Sequence, residues 1–434
     1  MTALAAPPPA ATPEPVSKRA GMFRSLRIRN YRLYASGQLV SLTGTWMQRV
    51  AQDWLVLELT NSGTALGVVT ALQFAPQLLL GMYGGMLADR MDKRRLLLVT
   101  QTLIALVALV LGILDVTGAV AYWHVLVLAA ALGVVTAVDT PVRQSFVVEM
   151  VGKDELTNAV AINSTIFNAG RIVGPAVAGV MIAAVGTGWA FVVNAASSIA
   201  VLTGLALMRT ADLHPAPVVA RARGQLREGL AYVRGRRDLM LTMVLIFVIG
   251  TFGLNFAITC ALMAKQVFEH GATGYGLLST ALAVGAFFGA VAATRRTKRP
   301  TPGFLLTAAA VFSVAEILAG VMPTFWWCAA MLVPTGLAML SVTTAANSHV
   351  QLGVAPTMRG RVMALYLICF LGGTPVGAPI VGWLAGVAGP RWGLAGGGMV
   401  CLLSVLVLAG VVARHRGLQP RDLRGMVRLP ARAH

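Results

Sequence analysis

The chain has 434 residues, of which 57% are hydrophobic and only 12% are charged. Soluble domains have about 25% charged residues, so this composition excludes a soluble globular fold and indicates a polytopic membrane protein. The formal net charge of +19 does not indicate a nucleic-acid partner, because the lysines and arginines cluster in short segments between long apolar stretches. Such clusters are typical of the cytoplasmic loops of membrane proteins.

A helix needs about 20 predominantly apolar residues to cross a membrane, and the chain contains twelve such segments. We number them spans 1 to 12 in chain order: 34–58, 64–88, 96–117, 122–146, 158–184, 188–208, 239–262, 274–293, 303–322, 325–349, 361–386 and 392–413. The remaining ends are a Pro- and Ala-rich tail, 1–33, and a basic tail, 414–434.

The basic residues predict the orientation of these spans. Both tails, the central segment and the loops on the same side contain 30 of the 35 Lys and Arg, whereas the opposite loops contain only Lys265 and Arg391. The side rich in positive charge faces the cytoplasm in most membrane proteins. We therefore expect both termini to be cytoplasmic.

A long polar segment, 209–238, separates two halves of six spans each, 34–208 and 239–413. Its second part places Leu226 and Leu230 among arginines, which predicts a basic amphipathic helix on the inner leaflet.

The two halves are repeats of each other. The sequence GMLADRMDKRR at 85–95 recurs in degenerate form at 289–299, and the glycines of 170–179 recur at 373–382. Because the two offsets are nearly equal, we infer a duplicated six-helix bundle. Transporters with such repeats bind their substrate near the midplane, between the halves.

A charged side chain inside a span costs at least a few kcal/mol, so each one is a functional candidate. The candidates for a proton or substrate pathway lie on polar stripes of spans 1, 4 and 5: Arg49, Gln52, Asp53, Asp139, Arg143, Asn168 and Arg171. Arg49 and Asp53 are four residues apart and are expected to pair. Pairing would favour the ionised carboxylate until substrate or conformation separates the two groups. For Asp139 and Arg143, a structural network that fixes helix register is an equally good interpretation.

The second half has few charges inside its spans. On span 7, Phe252, Asn255 and Phe256 are candidates for an apolar wall against a large amphiphilic ligand, although such aromatic pairs more often serve packing. Glu316, in the middle of span 9, either faces lipid or packs inward, and the sequence does not decide between these positions.

Two of these motifs resemble signatures of a known family. Residues 85–95 are similar, nearly throughout, to the pattern G-x-L-a-D-r-x-d-r-k-r of the major facilitator superfamily. Residues 170–179 resemble the helix-5 motif of its antiporters, with Ala178 where that motif has glycine. The matching motif residues are Gly170, Gly174, Pro175 and Gly179. Other stretches, such as PVRQSFVVEMV, resemble the branch that contains enterobactin and macrolide exporters.

The resemblance implies a gating latch on the cytoplasmic side. The family's aspartate at the position of Asp89 interacts with the N-terminus of helix 11, which we expect near Gly360 and Arg361. Glu149 is a candidate partner for Arg90 or Arg94. The predicted latch residues are Gly85, Asp89, Arg90, Asp92, Arg94 and Glu149. The simpler alternative is that the basic run only sets topology.

The resemblance also implies that the helix-5 motif bends its helix and helps to seal one face against ion leak. The alternative is that the glycines serve close packing alone.

The sequence therefore predicts an all-α membrane protein with the major facilitator fold. We expect a monomeric secondary exporter in the bacterial plasma membrane that exchanges a drug-like or siderophore-like molecule for protons by alternating access. The proton gradient would supply the energy, without a cofactor or a metal. A nutrient importer of the same fold is the alternative. A membrane-embedded enzyme is disfavoured, because the six histidines form no catalytic or metal-binding cluster in the sequence.

Overall fold

The computed structural model of the protein describes residues 23–214, 225–296 and 299–415, and the regular elements in these ranges are helices. The first half forms α1 (Arg29–Thr60), α2 (Gly63–Arg90), α3 (Lys93–Val116), α4 (Tyr122–Val185) and α5 (Thr187–Ala206). A short linker helix, α6 (Gln225–Arg234), follows. The second half forms α7 (Arg237–Val248), α8 (Phe256–Leu262), α9 (Gly271–Thr294), α10 (Pro302–Val321), α11 (Phe325–Gly353), α12 (Pro356–Ala388) and α13 (Pro390–His415). Most of both predicted tails lies outside the described residues.

The predicted twelve-span layout is confirmed. Ten helical segments of the described chain are long and apolar enough to cross a membrane. One of these, α4, has 64 residues and reverses its course at Gly152, whose φ of 71° is accessible to glycine without strain. It therefore supplies spans 4 and 5 as two limbs. Span 1 is α1, which has 32 residues but carries more polar side chains than the others.

Span 7 is a broken helix. Between α7 and α8, residues 249–253 form a π-helical turn, and Leu254 and Asn255 leave the helical conformation. A second π-helical turn, 263–267, ends the span. Breaks of this kind are tolerated at membrane depth only where the backbone is buried in protein or lines a cavity.

Glycines in corresponding positions show the repeat symmetry directly. A Cβ atom on Gly174 would lie 2.5 Å from the Cβ of Trp46 in α1, and one on Gly377 would lie 1.6 Å from the carbonyl oxygen of Thr251 in span 7. Only glycine permits these approaches, so span 5 packs on span 1 as span 11 packs on span 7. The predicted two-repeat architecture is confirmed.

The two halves meet on one side of the molecule. We call the side where α1 begins and α13 ends the terminal face, and the opposite side the distal face. Lys265 donates a hydrogen bond of 2.5 Å to the carbonyl oxygen of Leu57, and Thr273 donates one of 3.2 Å to the carbonyl oxygen of Gly179. Towards the terminal face, no hydrogen bond or ion pair joins described residues of the two halves. The structure is therefore closed at its distal face.

The linker helix, α6, was predicted to lie on the inner leaflet, and it packs on the second half of the protein. Val233 of α6 is buried, and Glu228 forms an ion pair with Arg361 of α12. Gly229 faces the backbone of Arg361 at close range. Part of the apolar side of α6 therefore packs on the second half, whereas Leu230 is exposed.

Candidate transport site

A cavity of about 280 Å³ lies between the two halves. The first half contributes α1, α2 and the second limb of α4 to its wall, and the second half contributes the broken span 7, α9, α11 and α12. Within the described chain, three charged side chains line it: Arg49, Asp53 and Arg171. Most other lining side chains are apolar, among them Trp46, Phe74, Leu254, Phe256, Ile258, Leu282 and Met339. A mostly apolar pocket with a few polar groups is the usual form of a small-molecule site.

Asp53 is bound across the interface between the halves. Its carboxylate accepts a 2.6 Å hydrogen bond from the hydroxyl of Tyr275 in α9. Sequence reasoning missed Tyr275, although its position between Gly274 and Gly276 on span 8 marks a place of close helix approach. Gly276 confirms this approach, because a Cβ atom there would lie 2.4 Å from the carbonyl oxygen of Pro175.

The predicted ion pair between Arg49 and Asp53 does not form in this conformation. The guanidinium of Arg49 lies 4.9 Å from the ring centre of Trp46 and 5.9 Å from that of Phe74. Arg49 therefore makes cation–π contacts, while Asp53 turns to Tyr275. The spacing on α1 permits the pair, but in this conformation the carboxylate accepts from a donor of the other half instead.

Arg171 has few partners of its own. One of its terminal nitrogens donates a 3.2 Å hydrogen bond to the side chain of Asn168. Its Nε is buried and has no hydrogen-bond partner among the described residues. Asn168 in turn donates to the carbonyl oxygen of Ser164 and does not line the cavity.

The predicted pair of Asp139 and Arg143 is confirmed, but it does not line the cavity. Their side chains meet at 2.6 Å, and the fully buried Asp139 also accepts 2.8 Å hydrogen bonds from Thr100 and Gln101 of α3. The polar stripe of span 4 thus turns towards α3, because α3 supplies two donors. Gln52 is likewise buried away from the cavity. These contacts favour the structural interpretation of Asp139 and Arg143.

Two of the three residues of the predicted wall on span 7 lie at the cavity. Asn255 and Phe256 line the cavity, whereas Phe252 does not. The helix break explains the difference, since it rotates the residues after Leu254 relative to those before it. Phe256 also packs edge-to-face against Phe312 of α10.

Glu316 packs inward rather than facing lipid. It is 2% exposed, and its Oε2 has no hydrogen-bond partner within the described chain. A Cβ atom on Gly397 would lie 3.4 Å from Oε1 of Glu316 and 2.5 Å from the carbonyl oxygen of Phe252. Glu316 is therefore enclosed by α10, α13 and the broken span 7, outside the cavity.

The basic run after α2 binds within the first half. Glu149 pairs with Lys93 at 2.6 Å rather than with Arg90 or Arg94. Arg94 instead donates to the carbonyl oxygens of Leu205 and Ala206 at the C-terminus of α5, where the helix dipole favours a cation. Asp92 caps the first turn of α3, and Gly85 is buried.

The predicted contact of Asp89 is absent from this conformation. Asp89 makes no hydrogen bond or ion pair with a described residue. The helix that should receive it, α12, begins at Pro356 rather than near Gly360, and Arg361 is engaged by Glu228 of α6. The latch stays a prediction for a state in which the terminal face is closed.

The helix-5 motif lies in the second limb of α4 and contacts both halves. Gly170 and Gly174 pack against α1, and a Cβ atom on Gly179 would lie 3.0 Å from the carbonyl oxygen of Ala272 in α9. The carbonyl of Pro175 faces Gly276 of α9. The motif thus forms part of the distal closure through its packing.

Comparison with known proteins agrees with this arrangement. A family model described as "Transmembrane secretion effector" matches residues 20–430. The chain is 34% identical over 151 residues to a staphyloferrin A transporter of Staphylococcus aureus, a match that covers 35% of this chain and 38% of that protein. It is 25% identical over 388 residues to the multidrug efflux pump Tap of Mycolicibacterium fortuitum, covering 86% and 92% of the two chains. The enterobactin exporter EntS of Citrobacter koseri is 25% identical over 407 residues, with 90% and 94% covered.

Solved structures show the same fold. A bacterial homologue of the lysosomal transporter Spinster, in an inward-facing and unoccupied conformation, has a TM-score of 0.64 at 16% identity and covers 93% of this chain and 99% of its own. A POT family transporter has a TM-score of 0.72 at 11% identity, with 89% and 96% covered. The chain is therefore a transporter and not an enzyme, as the sequence predicted.

Proposed function

The chain belongs to the transmembrane secretion effector family of the major facilitator superfamily, and we propose that it exports a drug-like or siderophore-like small molecule across the bacterial plasma membrane in exchange for protons. The similarity to Tap and EntS over most of the chain supports export rather than import. The observation that carries the proposed coupling is the hydrogen bond between Asp53 and Tyr275, because it joins a cavity carboxylate to the other half of the molecule.

The terminal face is the cytoplasmic face in this proposal. It carries the tails and the basic loops, and positive loops remain on the cytoplasmic side. The distal closure then makes this an inward-facing conformation. Reporter fusions test the orientation: a cytoplasmic reporter at either terminus should be active, and activity only of a periplasmic reporter would contradict the proposal.

Asp53 changes partners during the proposed cycle. In the inward-facing state Tyr275 donates to the ionised carboxylate, and Arg49 is free to contact cargo. Opening the distal face separates α1 from α9 and removes this donor. Asp53 then turns to Arg49, one helical turn away, and weakens the hold of Arg49 on the cargo.

The proton enters at the next step. An acidic exterior protonates Asp53 and releases it from Arg49, so that the empty carrier can close its distal face. Renewed donation by Tyr275 favours the ionised carboxylate, and the proton leaves to the cytoplasm. In this proposal Tyr275, rather than Arg49, is the partner of Asp53 in the inward-facing state.

Transport by the full chain in proteoliposomes tests the proposal. The probes are enterobactin, staphyloferrin A and erythromycin, which represent the cargoes named for the relatives. At least one should accumulate against its gradient when a pH gradient is imposed, and nigericin should abolish this accumulation. Asp53→Asn should lose accumulation but retain exchange of probe across equal concentrations. Uphill transport by Asp53→Asn with unchanged dependence on the pH gradient would refute the coupling role.

A further inference from the structure

The cavity carries more positive than negative charge. Arg49 and Arg171 contribute two guanidinium groups, and Asp53 contributes the one carboxylate among its described lining residues. Asp53 accepts a hydrogen bond from Tyr275 and forms no ion pair with either arginine in this conformation. The cavity therefore has a net charge of +1, which rises to +2 when Asp53 is protonated.

Unpaired guanidinium groups at membrane depth are costly and mark a ligand or ion pathway. Two other arginines of the first half have anionic or carbonyl partners: Arg143 pairs with Asp139, and Arg94 caps α5. Arg171, by contrast, leaves a buried Nε without a partner among the described residues, and Arg49 stacks on aromatic rings without forming an ion pair, although Asp53 lies one helical turn away. Both side chains reach the same cavity. An anionic group of a ligand can therefore pair with these two guanidinium groups.

We propose that the cargo is an amphiphilic organic anion, whose carboxylate or sulfonate binds Arg49 and Arg171 while its apolar body lies against the aromatic wall. The proposal rests on the proposed export function and names the charge of its cargo. The planar, always-charged guanidinium binds carboxylates through two parallel hydrogen bonds. Trp46 and Phe74 hold the Arg49 side chain in place, so little freedom is lost on binding.

An anionic cargo agrees with the partner exchange of Asp53. In the inward-facing state Tyr275 keeps Asp53 away from Arg49, and an anion can bind. When the distal face opens, the ionised Asp53 competes with the anion for Arg49 and expels it. The negative interior of the cell also favours outward movement of an anion.

Equilibrium binding to the full chain in lipid nanodiscs tests the cargo class without any transport. The probes are dansylglycine and dansylcadaverine, which share one fluorescent apolar body and carry opposite charges. Energy transfer from tryptophan reports their binding, with empty nanodiscs as the background. Dansylglycine should bind at least about tenfold more tightly than dansylcadaverine, since a charge-assisted hydrogen bond contributes tenfold or more.

Variants assign the preference to the cavity. Arg171→Gln should weaken dansylglycine binding about tenfold without weakening that of dansylcadaverine, because it removes a positive charge, while Arg171→Lys should retain most of the affinity for dansylglycine. Arg296→Gln is the matched control, because Arg296 is half-buried like Arg171 but does not line the cavity. It should leave both affinities unchanged.

Three results would overturn the inference: equal or tighter binding of dansylcadaverine, no effect of Arg171→Gln, or no binding of dansylglycine by the wild-type protein. Uphill export in proteoliposomes together with any of these would leave the proposed function standing. A clear preference for dansylglycine without gradient-driven export would support the inference about the cargo and contradict the proposed export function.

Discussion

The hydrogen bond from Tyr275 to Asp53 can be removed by Tyr275→Phe, which deletes one hydroxyl and keeps the ring in the α1–α9 contact. A hydrogen bond to a charged group contributes about 1.5–3 kcal/mol. Because this bond exists only while the distal face is closed, its loss should shift the equilibrium between distal-closed and distal-open states by roughly 10- to 150-fold towards the open state. Proton-coupled transport should slow correspondingly.

Distances between spin labels report this shift. Ala119 and Glu269 are exposed positions in distal loops of opposite halves, and labels there should move apart in Tyr275→Phe when the four native cysteines are replaced. The matched control is Tyr366→Phe. The hydroxyl of Tyr366 is also buried and donates to the carbonyl oxygen of Thr343, but both residues belong to the second half.

A double-mutant cycle separates the effect of the hydrogen bond between Tyr275 and Asp53 from other effects of changing Tyr275. If Tyr275 acts through Asp53, adding Tyr275→Phe to Asp53→Asn should change the label distances little beyond either single variant. Fully additive shifts, or a Tyr275→Phe protein whose distances and pH-dependent transport match those of Tyr366→Phe, would refute the reasoning.

Three further predictions concern the rest of the site. Asp139→Asn should lower the free energy of unfolding by about 1–3 kcal/mol, because it removes the charge that pairs with Arg143; an unchanged melting temperature would contradict the structural role. Gly276→Val should prevent distal closure, since its side chain would meet the backbone of the α4 second limb, whereas Gly81→Val has open space around it and should transport normally; equal transport by both variants would exclude the packing argument. Asp89→Asn should slow transport without loss of folded protein, because Asp89 has no partner among the described residues in the distal-closed state and the predicted latch would engage it only when the terminal face closes; wild-type transport rates of Asp89→Asn in vesicles would contradict the latch.

The architecture was predictable because it depends on signals that repeat along the chain. Long apolar segments, the asymmetry of basic loops and two pairs of glycine motifs each report on many residues together. The predicted spans therefore match the helices, although α12 begins five residues earlier than span 11, at Pro356, a residue well suited to a first helical turn.

The contacts of the site were less predictable because side chains choose among distant partners. Spacing on α1 correctly placed Arg49 and Asp53 within reach of each other, yet the actual partner of Asp53 lies 222 residues away. Similarly, the stripe on span 4 identified a real pair, Asp139 and Arg143, but the donors on α3 that turn it away from the cavity carry no periodic signal. The sequence identifies residues that need partners, and the packing of other helices selects them.

This distinction also explains why we propose Asp53 for coupling rather than Asp139 or Glu316. The partners of Asp139 all lie in the first half, so they move with it when the halves rearrange. Glu316 is enclosed by helices of the second half and likewise keeps its surroundings. Asp53 has its donor in one half and its alternative partner, Arg49, in the other. Its environment must change whenever α1 and α9 separate, and a carboxylate couples proton binding to conformation only through such a change.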